Sequence, residues 1–169
     1  MDFDFAEHQD NLIRKLYTNV QNTAEIRKVI FAAKLPFTLI NPELVLDPFQ
    51  LSVAMTKALY NMKEGSMMTR SFQTEILYCL SPNKNITEAL TSFGSKENDS
   101  TFILIGEKQA FVQLEHQIQG KEVPLSEVSQ FSKEDTIKQM YQIPNDELQN
   151  STLLKSIVSR ISSKEFATG

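Results

Sequence analysis

A single cysteine, Cys79, in 169 residues excludes an internal disulfide and any zinc site built on several thiolates. Histidine is nearly as scarce, with only His8 and His116, which leaves little for a metal centre or a general base. The five glycines (Gly65, Gly94, Gly106, Gly120 and Gly169) stand apart, so there is neither a phosphate-cradling loop nor a dinucleotide fingerprint. No uncharged apolar run approaches the ~20 residues of a membrane-spanning helix. The first ten residues hold Asp2, Asp4, Glu7 and Asp10 with no basic residue, unlike a secretory signal or a transit peptide, and the chain reads as intracellular.

What is present is ordinary for a soluble globular protein: 41% hydrophobic and 22% charged residues, with a mean hydropathy of -0.27. A chain of this length buries about 70% of the surface its unfolded form exposes, enough for one core, and one domain is expected over residues 1–169. The net charge of -4 is carried by the first ten residues, since the remainder balances 17 acidic against 17 basic side chains. A neutral body with a pI near 5.3 is not an RNA-coating protein, although a small basic patch remains compatible with it.

Capping patterns mark the helices. Asn22 and Glu25 have capping-box spacing ahead of the stripe Ile26, Val29, Ile30, Ala33, which Pro36 ends. Asp47-Pro48 opens a helix expected to run to about Glu64 and to close at Gly65 in the left-handed region. Its apolar face is Leu51, Met55, Ala58 and Met62; its polar face is Gln50, Lys57, Asn61 and Glu64. Asn85 and Glu88 open a short helix closed by Gly94. Later helices are expected over residues 108–119, from Lys133 to about Gln142 behind Ser132, and behind Ser151, with Leu154, Ile157, Val158 and Ile161 at helical spacing. Strands are expected over Leu12–Val20, Phe37–Ile40, Glu75–Ser81 and Thr101–Ile105, with Glu43–Leu46 as a weaker candidate. The order of elements predicts an α/β (mixed α+β) domain, with a central mixed β-sheet packed with helices and a helix-rich C-terminal third.

Catalysis has little material. His116 sits among Gln113, Glu115 and Gln117 as a solvent-facing residue, and Cys79, within Ile76–Leu80, has the setting of an inert buried thiol. Ser81-Pro82-Asn83-Lys84 matches a Ser-x-x-Lys motif by letter, but Pro-Asn makes a turn where that motif needs a helix. No cofactor and no metal site is expected. The densest cluster of one charge is Lys57, Lys63 and Arg70, opposed by Glu64; it is either a solvated helix face or a small phosphate-contacting patch. The 154–161 stripe is either core or a docking face for a partner.

Between residues 41 and 94 the chain carries Asn41-Pro42, Asp47-Pro48-Phe49-Gln50, Val53-Ala54, Lys57-Ala58, Thr69-Arg70, Thr74-Glu75-Ile76, Leu80-Ser81-Pro82, Asn85-Ile86, Ala89-Leu90 and Phe93-Gly94. In order and spacing these resemble the PRPK-binding protein (TPRKB) family, small subunits of the KEOPS/EKC complex. The resemblance implies a non-catalytic protein with a central mixed sheet that binds the small atypical kinase/ATPase PRPK, which in turn contacts a threonylcarbamoyl transferase subunit. The implied work is help in recruiting tRNA, through its 3′ CCA end in archaeal members, for modification to threonylcarbamoyladenosine next to the anticodon. It further implies a cytoplasmic and nuclear location, no membrane association, and links to telomere maintenance and transcription. By position it makes Lys57, Lys63 and Arg70 candidate tRNA contacts, with Asn85 matching a family Asn whose capping role also explains it. Ser66 and Met68 stand where relatives often carry lysine, which lowers the expected phosphate attraction. For the kinase-facing surface the candidate is the Leu154, Ile157, Val158, Ile161 stripe.

Overall fold

The structure, a computed structural model, describes residues 5–166. Strands β1 (Leu12–Thr18), β2 (Phe37–Ile40), β3 (Phe102–Glu107) and β4 (Lys121–Val123) form one sheet in the order β2-β3-β1-β4. Every neighbouring pair is antiparallel, so the sheet is not mixed as expected. The reason is one of threading. Between β2 and β3 the chain makes a helical excursion, and β3 returns between β1 and β2, running against both.

Period-two alternation gives the sheet two buried faces. Leu16, Ile40, Ile103 and Ile105 point to one face; Tyr17, Phe37, Leu39, Phe102 and Leu104 point to the other. The second face is covered by α2 (Thr23–Ala32) through Ile26 and by a 3-10 segment, Lys108–Gln113, through Phe111. Gly106 is required there: a Cβ would lie 2.1 Å from the Phe37 ring, which crosses β3 to meet Phe111 at 6.4 Å. The first face carries the larger core, built by α3 (Pro48–Lys63), α4 (Phe72–Leu80), α5 (Ile86–Phe93), α6 (Glu134–Met140) and α7 (Leu153–Ser162). A short α1 (Phe5–Asp10) precedes β1.

Two capping patterns form as read: the side chain of Asp47 accepts the amide of Phe49 at 2.8 Å, and Asn85 accepts that of Glu88 at 3.0 Å. Gly65 has φ +67°, the left-handed turn expected after α3. Other readings need correction. The expected strand 75–81 is α4, because Ile76 to Leu80 are buried on every side and their apolar run carries no period. A Ser71–Thr74 capping box decides the matter in favour of a helix. Asn22 is the N-cap of α2, but its side chain takes no helix amide; its Nδ2 donates to Glu25 Oε2 at 3.2 Å and to Gln117 O at 2.7 Å, and its Oδ1 accepts from Gln119 N at 3.0 Å, fastening α2 to a distant loop. Residues 108–119 form two 3-10 pieces, Lys108–Gln113 and Glu115–Gln117, rather than one helix, and Pro42–Leu44 is 3-10 rather than strand. Thr152, not Ser151, caps α7, and Ser132 bonds Val45 O instead of capping α6.

Helix C-termini are closed by side chains reaching from elsewhere in the sequence, which satisfies their orphan carbonyls. Lys57 donates to Ile161 O at the end of α7, Lys164 to Tyr78 O and Tyr141 to Leu80 O at the end of α4. Arg160 donates to Tyr141 O and Gln142 O behind α6 and forks onto Glu147 at 2.7 and 2.8 Å. Gln50, placed on the polar face by its spacing, is buried and donates to Leu44 O and to the Tyr141 hydroxyl.

Candidate functional site

The basic candidates separate in space. Lys57 is committed to the fold: its ammonium lies 2.5 Å from both Ile161 O and the Glu165 carboxylate, and its side chain is only 14% exposed. Lys63, at the end of α3, is exposed, 3.9 Å from Glu64 and 5.8 Å from the centre of the Phe5 ring. Arg70 is exposed, and among the described residues nothing pairs with it. The connection from Glu64 to Ser71 therefore brings Lys63 and Arg70 to its two ends, with Met68 exposed between them. Asn85 lies beyond the far end of α4, roughly 13 Å along a nine-residue helix, and its side chain is engaged as a cap.

Glu75 organises that connection. It is fully buried on α4, and its Oε1 accepts from Met68 N at 3.0 Å, Thr69 N at 2.9 Å and Thr69 Oγ1 at 2.8 Å. Its Oε2 accepts from Asn61 Nδ2 at 3.0 Å. Sequence reasoning missed this role. The signal was a lone charge at the edge of an all-apolar run, a position that a carboxylate occupies only when its oxygens are satisfied.

A second feature lies along the outer side of α3. Phe5, Phe49, Val53, Lys57, Tyr60 and Glu165 are among the residues that line an open groove of about 570 Å³. Phe49 and Tyr60 are 55% and 53% exposed, two large apolar surfaces on one helix. The sequence hid it, because Phe49 sits inside a capping motif and Tyr60 falls outside the core stripe. On α7, Ile157 and Ile161 are fully buried in the protein's own core and have no surface to offer, while Leu154 and Val158 are half-buried. The core therefore uses the inner half of that stripe.

The residues considered for catalysis are dispersed. Burial, with Glu75 nearby, pushes the Cys79 thiol up to about 12, which keeps it protonated at neutral pH. His116 is exposed on its 3-10 piece, and Ser81 is buried with its hydroxyl accepting from Asn83 N at 3.0 Å. Among the described residues no three His, Cys, Asp or Glu side chains are grouped to hold a metal, and no helix is long and apolar enough to cross a membrane.

With this geometry established, similarity to known proteins decides the family. Residues 17–165 match the family described as kinase binding protein CGI-121. The chain belongs to the CGI-121 family. Among curated relatives, the EKC/KEOPS complex subunit TPRKB of Danio rerio is 33% identical, covering 95% of this chain and 94% of its own length. The EKC/KEOPS complex subunit CGI121 of Candida glabrata is 28% identical, covering 80% and 81%, and that of Kluyveromyces lactis is 39% identical over about half of each chain. These relatives are named as subunits of an assembly, and the CGI-121 family as kinase-binding. Two candidate contact surfaces have been described, the α3 groove and the loop that follows α3.

Proposed function

We propose that this chain is a non-catalytic subunit of a KEOPS/EKC complex. It docks on a PRPK-type kinase/ATPase through the α3 groove and supports tRNA recruitment for threonylcarbamoyladenosine modification. The observation that carries the docking half is the exposed pair Phe49 and Tyr60: aromatic anchors in an apolar depression, with polar groups at the rim, have the anatomy of an interface core. Family membership supplies the class of partner, and contact with the transferase subunit follows indirectly through the kinase. On this reading the protein works in the cytoplasm and nucleus and holds no cofactor. The test is size-exclusion chromatography of the chain mixed with the kinase. The natural chain should co-elute with it, and Phe49→Glu, which places a charge in the groove, should elute alone. Co-elution of that variant at natural strength would remove the groove from the account.

The RNA half rests on Lys63 and Arg70, the two exposed basic side chains at the ends of one loop. Two phosphate contacts make a modest electrostatic attraction, consistent with a subunit that supports rather than dominates recruitment. A stand-alone tRNA-binding module is the second reading, favoured by Arg70 having no partner among the described residues. Replacing both with alanine should lower tRNA affinity and reduce its salt slope by about 2. If kinase co-elution survives while all measurable tRNA binding is lost, the two surfaces act independently. An unchanged affinity for tRNA would end the RNA half.

A further inference from the structure

We propose that Glu75 is a positioning residue for RNA binding, setting the loop conformation in which Arg70 is held out to a phosphate. The proposal rests on the reading of Arg70 as a phosphate contact. Its physical basis is the set of bonds around one buried side chain. Two successive loop amides, Met68 N and Thr69 N, converge on Glu75 Oε1 together with the Thr69 hydroxyl. The other oxygen holds Asn61, on the last turn of α3. One carboxylate thus joins α3, the loop and α4, and the residue that follows the clamped pair is Arg70. Backbone amides bound to an anion on one side fix their φ and ψ, and a guanidinium displayed from a fixed backbone loses less freedom when it captures a ligand.

Electrostatics alone predicts the opposite outcome, which gives the proposal a sign. Deleting a carboxylate near a phosphate-binding loop should strengthen RNA binding if Glu75 acts only through its charge. If it acts by positioning, deletion should weaken binding.

The experiment uses the full chain as Glu75→Ala, Glu75→Gln, Arg70→Ala and the double variant Arg70→Ala/Glu75→Ala, titrated with a tRNA transcript at two salt concentrations. Glu75→Ala should lower affinity about tenfold, as Arg70→Ala does, and the double variant should be within about twofold of either single, because residues that act as one unit are non-additive. Glu75→Gln keeps one acceptor oxygen for the two amides and should bind within about threefold of the natural chain. Amide exchange at Met68 and Thr69 should accelerate at least about tenfold in Glu75→Ala. Kinase co-elution should persist in every variant, which separates loop disorder from global unfolding. Tighter or unchanged tRNA binding by Glu75→Ala, losses that multiply in the double variant, or unaltered exchange at both amides would overturn the positioning role while leaving Arg70 as a contact. If Glu75→Ala does not fold, Glu75→Asp, which draws the carboxylate back from both amides by one methylene, is compared in the natural and Arg70→Ala backgrounds: a loss seen only when Arg70 is present supports positioning, and an equal loss in both, or none in either, overturns it. Full tRNA affinity in Arg70→Ala would instead end the phosphate reading, and this inference with it.

Discussion

Replacing Phe49 and Tyr60 together with alanine should weaken kinase docking by about three orders of magnitude and leave the fold intact. The two side chains are 55% and 53% exposed. An aromatic side chain carries roughly 200 Å² of surface, so each has about 100 Å² still open to water. Covering that area at ~25 cal/mol/Å² contributes about 2.5 kcal/mol, of which alanine keeps a small part, leaving about 2 kcal/mol per side chain. That is a factor of about 30 for each. Eleven residues of helix separate the two positions, about 16 Å along α3, which is beyond the range at which substitutions usually couple. The pair should therefore approach about 4 kcal/mol, or about 1000-fold. In the unbound chain the remaining part of each side chain, about 90 Å², already packs on the protein, so the same coefficient sets a ceiling of about 2 kcal/mol per side chain on the stability lost. Isothermal titration of the kinase into the natural and double-variant chains reads the first quantity, and thermal unfolding reads the second. A double variant that binds within tenfold of the natural chain while still folded at the assay temperature would refute the argument that the partner covers this groove.

Three further outcomes concern the fold that holds these surfaces. Tyr141→Phe removes a buried hydroxyl that accepts from Gln50 Nε2 at 3.1 Å and donates to Leu80 O; depriving Leu80 O of that donor and leaving Gln50 Nε2 with Leu44 O alone should cost about 1–3 kcal/mol in urea unfolding, and an unchanged midpoint would contradict the network. The Arg160 fork holds the Glu147 carboxyl at about 2 instead of its usual 4.5, so the unfolded chain takes up that proton first as pH falls. The stabilisation is present above about pH 4.5 and fades as pH drops towards 2. The gap in melting temperature between the natural chain and Glu147→Gln should close over that window, and a constant gap would count against the pair. Burial brings the Lys164 ammonium down to about 8 from 10.5, so the folded chain releases this proton before the unfolded one does. Relative to Lys164→Met, the natural chain should gain stability as pH rises from about 8 to 10.5; a flat difference would mean that the ammonium is not desolvated.

How far the sequence foretells this molecule depends on whether a signal is local. Asp47-Pro48, Asn85 with Glu88, and Gly65 announce helix boundaries within four residues, and each appears where expected. The strands β1, β2 and β3 were legible from their β-branched and apolar runs. Helix α4 was not, because a segment buried on all sides has no polar face to reveal its period, and the Ser71–Thr74 box that decides it is only four residues long. The antiparallel sheet was hidden because nothing local says that β3 will thread between β1 and β2. The same rule explains the surfaces. Lys63 and Arg70 share a loop because Gly65 turns the chain between them, a short-range effect. Lys57 resembled them in sequence, yet its carbonyl and carboxylate partners lie 104 and 108 residues away. The α7 stripe was correctly periodic, but periodicity does not say whether an apolar face meets the protein's own core or another molecule, and Ile157 and Ile161 meet the core.

The most direct measurement of the central claim is light scattering coupled to size exclusion, on this 19.3 kDa chain mixed with a PRPK-type kinase at micromolar concentration. The account predicts a single species whose mass is that of one copy of each protein. Two peaks at the separate masses, with both proteins folded, would contradict it.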